Sequence, residues 1–190
     1  MRAHLNLDSA GGWRVALLTQ LGPGSPWLGN AYKGVPFPHA SAMVADIFSI
    51  LPSATNYEVM AANGVPGFDI DFYDGGYTYH TPLDDVSDYV PGTLSALGRN
   101  VRVIITKLGE QPEFDSDEPD SDKSATFYDY VNAGFIVYTN EAALIITCVL
   151  IVAGVTVFAA YVIVWARDDY VERRHVRHFY CFLARSRQLV

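Results

Sequence analysis

Cysteine is nearly missing, with Cys148 and Cys181 the only two in 190 residues. Two thiols cannot build a disulfide framework or a Cys-rich zinc module, which take several thiolates at close spacing. Basic residues are scarce as well. The chain carries 13 Lys plus Arg against 21 Asp plus Glu, a formal charge of −8, and this excludes nucleic-acid binding through a strongly basic face. Long low-complexity tracts are lacking, and 50% hydrophobic with only 18% charged residues is the composition of a folded protein. Nothing near Met1 has the apolar run of a signal peptide. The longest early stretch is Val15 to Leu18, against the roughly 7 to 15 residues of a signal core. The glycines at 22, 24 and 29 lack the Lys-Ser/Thr ending of a phosphate-binding loop. No Ser-His-Asp ordering stands out either.

One long uncharged run is present. Ala142 to Ala166 reads AALIITCVLIVAGVTVFAAYVIVWA, 25 residues without a charge, more than the roughly 20 that cross about 30 Å of hydrocarbon. Tyr161 and Trp165 suit the interface at its far end. Residues 1 to 141 hold 18 acids and 7 bases, whereas residues 167 to 190 hold 3 acids and 6 arginines. The arginines follow the apolar run and Glu141 precedes it, so the positive-inside rule places the C-terminus in the cytosol and residues 1 to 141 on the luminal side. A luminal N-terminal part without a signal core leaves two routes. Either the chain inserts by this helix with its N-terminus translocated, or a further segment lies upstream.

The N-terminal part reads as short, well-punctuated elements of mixed type. Leu5 to Asp8 and Trp13 to Thr19 are expected strands separated by Gly11-Gly12, with a loop from Gly22 to Pro26. Helices are expected from Pro26 to about Lys33, from a Ser41 cap to Ile50, and from a Thr55/Glu58 capping box to Gly64. Phe68, Ile70 and Phe72 alternate with Asp69, Asp71 and Tyr73, giving a strand with one apolar and one mostly acidic face. Leu94, Leu97, Val101, Ile104, Ile105 and Leu108 recur at helical spacing, so Thr93 to Leu108 is expected to form an amphipathic helix over the sheet, with Gly98 costing about 1 kcal/mol against Ala. Glu110 to Asp122 contains seven acids and no base, as a solvated tether does. Phe127 to Tyr138 is aromatic and apolar, and its period leaves strand and membrane-surface segment both open. The class is α/β, a mixed-sheet domain followed by a single transmembrane helix. Its divisions are residues 1–109, an acidic linker 110–126, a juxtamembrane segment 127–141, the helix 142–166 and a basic tail 167–190.

Two residues in this layout suit chemistry. Asp8 ends a predicted strand beside a glycine pair, the end of an α/β sheet where ligands sit. His80 lies in a polar loop after Tyr79. A carboxylate and an imidazole are suitable zinc donors, and spacing alone does not pair them.

Six blocks in order carry a resemblance: NLDSAGG at 6–12, LGPGSPWLGNAY at 21–32, FPHASAMVADIF at 37–48, LPSATNY at 51–57, GVPGFDIDF at 64–72 and YHTPLD at 79–84. Together they closely resemble the C-terminal half of the luminal catalytic domain of endoplasmic reticulum metallopeptidases, members of the clan of two-zinc aminopeptidases that also includes vacuolar membrane proteases. The resemblance implies a membrane-anchored zinc peptidase of the endoplasmic reticulum or a vacuole-like compartment, acting on peptide or protein substrates. It implies that Asp8 ligates one zinc and His80 the other, and that Tyr79 donates to the developing oxyanion. Asp84, which ends the HTxxD pattern, is implied as the partner of the second His80 nitrogen. The implied reaction is metal-assisted peptide hydrolysis, with a glutamate taking the proton of a zinc-bound water.

The pattern is incomplete. The first metal histidine, the bridging aspartate and the glutamate pair of such enzymes precede the NLD block, and only seven residues precede Asp8 here. Glu58 is the first glutamate of the chain, and the usual PSDTD-like block reads PSATN, with Ala54 and Asn56 where acids are common. The chain thus contributes one ligand to each of two metals. Two readings follow from this: a part of a larger peptidase completed by an upstream segment or partner, or a catalytically inactive, membrane-tethered luminal adaptor. A half-domain of this kind exposes the sheet edge that its missing strands would cover.

Overall fold

The computed structural model describes residues 2–12, 15–23, 26–50, 55–115 and 125–186; the side chains of residues 88 and 168–186 are outside that set. Two compact units result, residues 1–143 and residues 144–190.

Three strands form the sheet of the first unit. They are β1 (His4–Ser9), β2 (Leu17–Gly22) and β3 (Gly67–Phe72), in the order β1-β3-β2. The apolar/acidic alternation of the GFDIDF segment places it at the centre. All six of its residues are buried. β1 runs parallel to β3, with Asp8 opposite Asp71, and β2 runs antiparallel to it with a register irregularity between Leu18 and Gln20. The expected second strand therefore starts later than Trp13, and residues 13–14 are outside the described set.

One sheet face packs on α1 (Pro26–Tyr32), which α4 (Thr93–Leu108) covers in turn. The core joins Leu18, Phe68, Ile70 and Phe72 from the sheet to Leu28, Ala31 and Tyr32 of α1 and to Ile104 and Leu108 of α4. The expected helix forms over its full span, with Ile104 and Leu108 of the predicted face buried and Leu94 and Ile105 exposed, and its main partner is α1 rather than the sheet. Gly98 faces open space, so its lack of a side chain serves no close approach. Asn100, buried on α4, clamps the loop after α1 by donating to the Phe37 carbonyl at 2.7 Å and accepting from the Phe37 N–H at 3.1 Å. Gly29 has a packing reason, because a Cβ there would lie 2.6 Å from the Val137 side chain.

The other face carries α2 (Met43–Phe48) and α3 (Asn56–Ala62). Both expected caps differ from what forms. Ala42 rather than Ser41 precedes α2, and no side chain caps it. Thr55 occupies the N-cap position of α3 with extended backbone, but its hydroxyl donates to Asp69 Oδ2 at 2.7 Å instead of capping the helix. That bond turns the Thr55 side chain toward the sheet, and its oxygen accepts no helix N–H.

Phe127 to Tyr138 resolves into a hairpin. Strand β4 (Ala125–Tyr130) pairs with β5 (Gly134–Thr139), and Asp129 with Ala40 and Phe127 with Ala42 join it to the chain before α2. β5 runs directly into α5 (Asn140–Ser186), 47 residues of helix. Residues Asn140–Arg167 of it are long and apolar enough to cross a membrane, and none of that apolar stretch is buried. The Ala54 position of the PSATN block, residues 116–124 of the acidic stretch and the last four residues lie outside the described residues.

Candidate metal centre

Parallel pairing of β1 and β3 puts their carboxyl ends side by side, and both metal candidates follow from that edge. Asp8 is exposed near the end of β1, and its Oδ1 accepts from the Ser9 N–H at 2.8 Å. The two loops leaving the edge touch. The Ala10 N–H donates to the Phe72 carbonyl at 2.8 Å, a Cβ on Gly11 would collide with the Asp74 carbonyl, and a Cβ on Gly76 would lie 3.1 Å from the Ala10 oxygen. The glycine pair thus serves close approach between loops. Gly12 has the same role toward Tyr89, whose ring occupies the space a Cβ would need. The Tyr89 hydroxyl lies 2.9 Å from Ser9 Oγ, which donates to the Gly11 carbonyl at 2.5 Å.

From Gly76 the second loop makes a 3-10 turn, Gly76–Thr78, and reaches Tyr79 and His80. The Thr81 hydroxyl secures it by donating to the Thr78 carbonyl at 2.6 Å. His80 has φ +59°, a left-handed conformation that costs a non-glycine residue about 1 kcal/mol. Its ring is exposed and stacks on that of Tyr79, centroids 3.8 Å apart. Asp84 is exposed, and its N–H donates to the Thr81 carbonyl at 3.1 Å.

Sequence reasoning did not single out Asp71 and Tyr73, which lie beneath this edge. Asp71 is 2% exposed and accepts from the Thr19 hydroxyl at 2.5 Å and from Tyr73. Burial pushes its carboxyl from 3.8 up to about 7; the Thr19 bond opposes this, and the Asp69 and Asp8 charges add to it. Tyr73 is pushed up by burial and by the Asp71, Asp69 and Asp8 charges, so it remains a neutral donor. One register step away, Asp69 is fully buried and accepts from Asn6 at 2.7 Å, Gln20 at 3.1 Å and Thr55 at 2.7 Å. The signal for both residues was the acidic face of a strand adjoining that of Asp8.

The donors fit zinc in kind, a carboxylate oxygen and an imidazole nitrogen at one sheet edge. Among the described residues, no three His, Cys, Asp or Glu side chains come together in a group that would hold a metal ion. The chain therefore presents isolated donors and not a closed set.

The model of peptidase family M28 matches residues 1–105, more than half of the chain. The chain belongs to that family. It is 28% identical over 187 residues to endoplasmic reticulum metallopeptidase 1 of Rattus norvegicus, covering 96% of this chain and 20% of that protein. The human protein of the same name is 28% identical over 162 residues, 83% of this chain and 18% of the relative. A vacuolar membrane protease of Yarrowia lipolytica is 26% identical over 154 residues, 80% of this chain and 15% of the relative. The chain thus spans a fifth or less of the length of these relatives. No solved structure matches it. An M28 peptidase region with mixed α/β structure and one long apolar helix agrees with the expected fold class.

Proposed function

We propose that the chain forms part of the catalytic domain of a membrane-anchored zinc peptidase, with Asp8 holding one zinc ion and His80 the other. The observation that carries the reading is the contact between the two loops at the carboxyl ends of β1 and β3, made through Gly11 and Gly76. Zinc, when bound, supplies a polarised substrate carbonyl and a water acidic enough to attack it. The chain's own groups do the rest. Ser9 holds one Asp8 oxygen through its N–H, leaving the other to face a metal. Tyr79, stacked on His80, donates to the oxyanion, and Asp84 receives the second His80 N–H. The remaining ligands and the proton-accepting glutamate come from a segment outside these 190 residues, in the same polypeptide or a partner.

We further propose that the N-terminal unit is luminal, in the endoplasmic reticulum or a vacuole-like compartment, with Asn140–Arg167 anchoring it and the arginine-rich end cytosolic. Residues 1–109 would then be the peptidase-like part and 110–126 an acidic tether. Substrates are peptides or proteins, and nucleic acid is not among the partners. The second reading, an inactive luminal adaptor, draws on the isolated donors and on Ala54 and Asn56 in the PSATN block. Native protein is isolated from membranes with an antibody to Glu110 to Asp122 and assayed on aminoacyl substrates with and without a zinc chelator. The peptidase reading expects a band well above the 21.0 kDa of this chain and activity that the chelator abolishes. A band near that mass, inactive and free of zinc, would leave only the adaptor.

A further inference from the structure

A cavity of about 280 Å³ opens between α2, the end of β2 and the start of β4, with Gln20, Ala42, Asp46, Tyr57, Thr126 and Phe127 in its wall. It is distinct from the metal edge. Gln20 and Leu21 pair with Asp69 and Phe68, the half of β3 remote from Tyr73 and His80. We propose that this cavity binds a primary ammonium group.

The wall offers acceptors and one negative charge. Tyr57 is 6% exposed, packs against the His4 ring at 5.1 Å, and among the described residues its hydroxyl has no hydrogen-bond partner. Its oxygen keeps a contact with solvent and is therefore open to a ligand. The Gln20 amide nitrogen is committed to Asp69 Oδ2 at 3.1 Å, leaving its carbonyl oxygen as acceptor. Asp46 makes no ion pair among the described residues. Among the described residues, no Lys, Arg or His lines the cavity. An –NH3+ group has three donors and no acceptor, the complement of Asp46, Gln20 and the Tyr57 oxygen. A carboxylate ligand would meet Asp46 repulsion, and an apolar one would leave the Tyr57 hydroxyl and the Gln20 oxygen unmatched. The excess of 18 acids over 7 bases in residues 1 to 141 draws cations to this surface. The volume falls just below the ~300 Å³ at which drug-sized sites begin, so the fit is to a lipid headgroup or small free amine.

The test uses the full chain in phosphatidylcholine nanodiscs, titrated with ethanolamine and followed by saturation-transfer NMR. Saturable binding is expected, weakened about 10-fold or more by Asp46→Asn, the loss of a charge-assisted hydrogen bond, and weakened also by Tyr57→Phe. Both substitutions leave the packing in place, since Asp46 is exposed and the Tyr57 ring is kept; unchanged circular dichroism is the control. Tetramethylammonium, with the charge but no N–H, should bind about 10-fold more weakly for the same reason. Replacing half the lipid by phosphatidylethanolamine separates the sources. Competition against soluble ethanolamine makes the headgroup the ligand, and undiminished binding makes it a free amine. No saturable binding up to about 50 mM, a Kd weaker than the millimolar range, would overturn the proposal. Equal affinity in Asp46→Asn, or equal affinity for tetramethylammonium, would do the same.

Discussion

Asp71→Asn should flatten the pH dependence of folding of the N-terminal unit. Asp71 is 2% exposed and bonded only to neutral hydroxyls, and burial raises its carboxyl from 3.8 to about 7. The folded chain therefore keeps this proton to a higher pH than the unfolded chain does. Its contribution to stability is fully present below about pH 4 and is lost as pH rises through about 7. At 1.36 kcal/mol per unit the loss is about 4 kcal/mol, a large share of the roughly 5–15 kcal/mol that holds a domain together. Asn retains an acceptor for Thr19 and has no charge to desolvate. The assay is urea unfolding of the full chain in detergent with a metal chelator present, followed through the fluorescence of buried Trp27 from pH 4 to 8. The difference between wild type and variant removes every other titrating group shared by both. Wild type should lose about 4 kcal/mol relative to Asp71→Asn across that range. Parallel profiles would refute the reasoning.

Further substitutions address the loops and the core. Gly11→Ala drives a Cβ into the Asp74 carbonyl and should cost about 1–3 kcal/mol as an overpacked contact, seen as a lower urea midpoint. His80→Gly relieves a left-handed backbone and should raise stability by up to about 1 kcal/mol while costing the complete enzyme about one of its two zinc ions. Such opposed effects mark a residue kept for a function. Leu28→Ala removes a fully buried side chain and should cost about 2–5 kcal/mol by the same unfolding assay.

Much of the fold was legible because its periodicities are strong. The alternation of Phe68, Ile70 and Phe72 specifies a face that is buried throughout, and the helical spacing from Leu94 to Leu108 specifies one that buries Ile104 and Leu108 while Leu94 and Ile105 stay exposed. The Thr55 cap does not form because its side chain is held toward Asp69, 14 residues away, and its oxygen accepts no helix N–H. Local sequence cannot show a competitor brought in by the fold. Gly11 and Gly12 read as a break between strands, whereas what they allow is the approach of Asp74 and Tyr89, visible only once β1 and β3 are paired. The edge that carries Asp8 was legible from its strand and the adjacent glycines. Asp71 was legible as an acidic strand face, but its depth depends on β2 and β1 flanking β3 on both sides.

The most direct measurement is the zinc content of native protein isolated from membranes, compared with Asp8→Asn and His80→Ala forms expressed in the same cells. Two zinc ions per polypeptide of the complete site, with about one lost on either substitution, are what one ligand to each metal requires. A metal-free native protein, or a zinc content that neither substitution changes, would contradict the account.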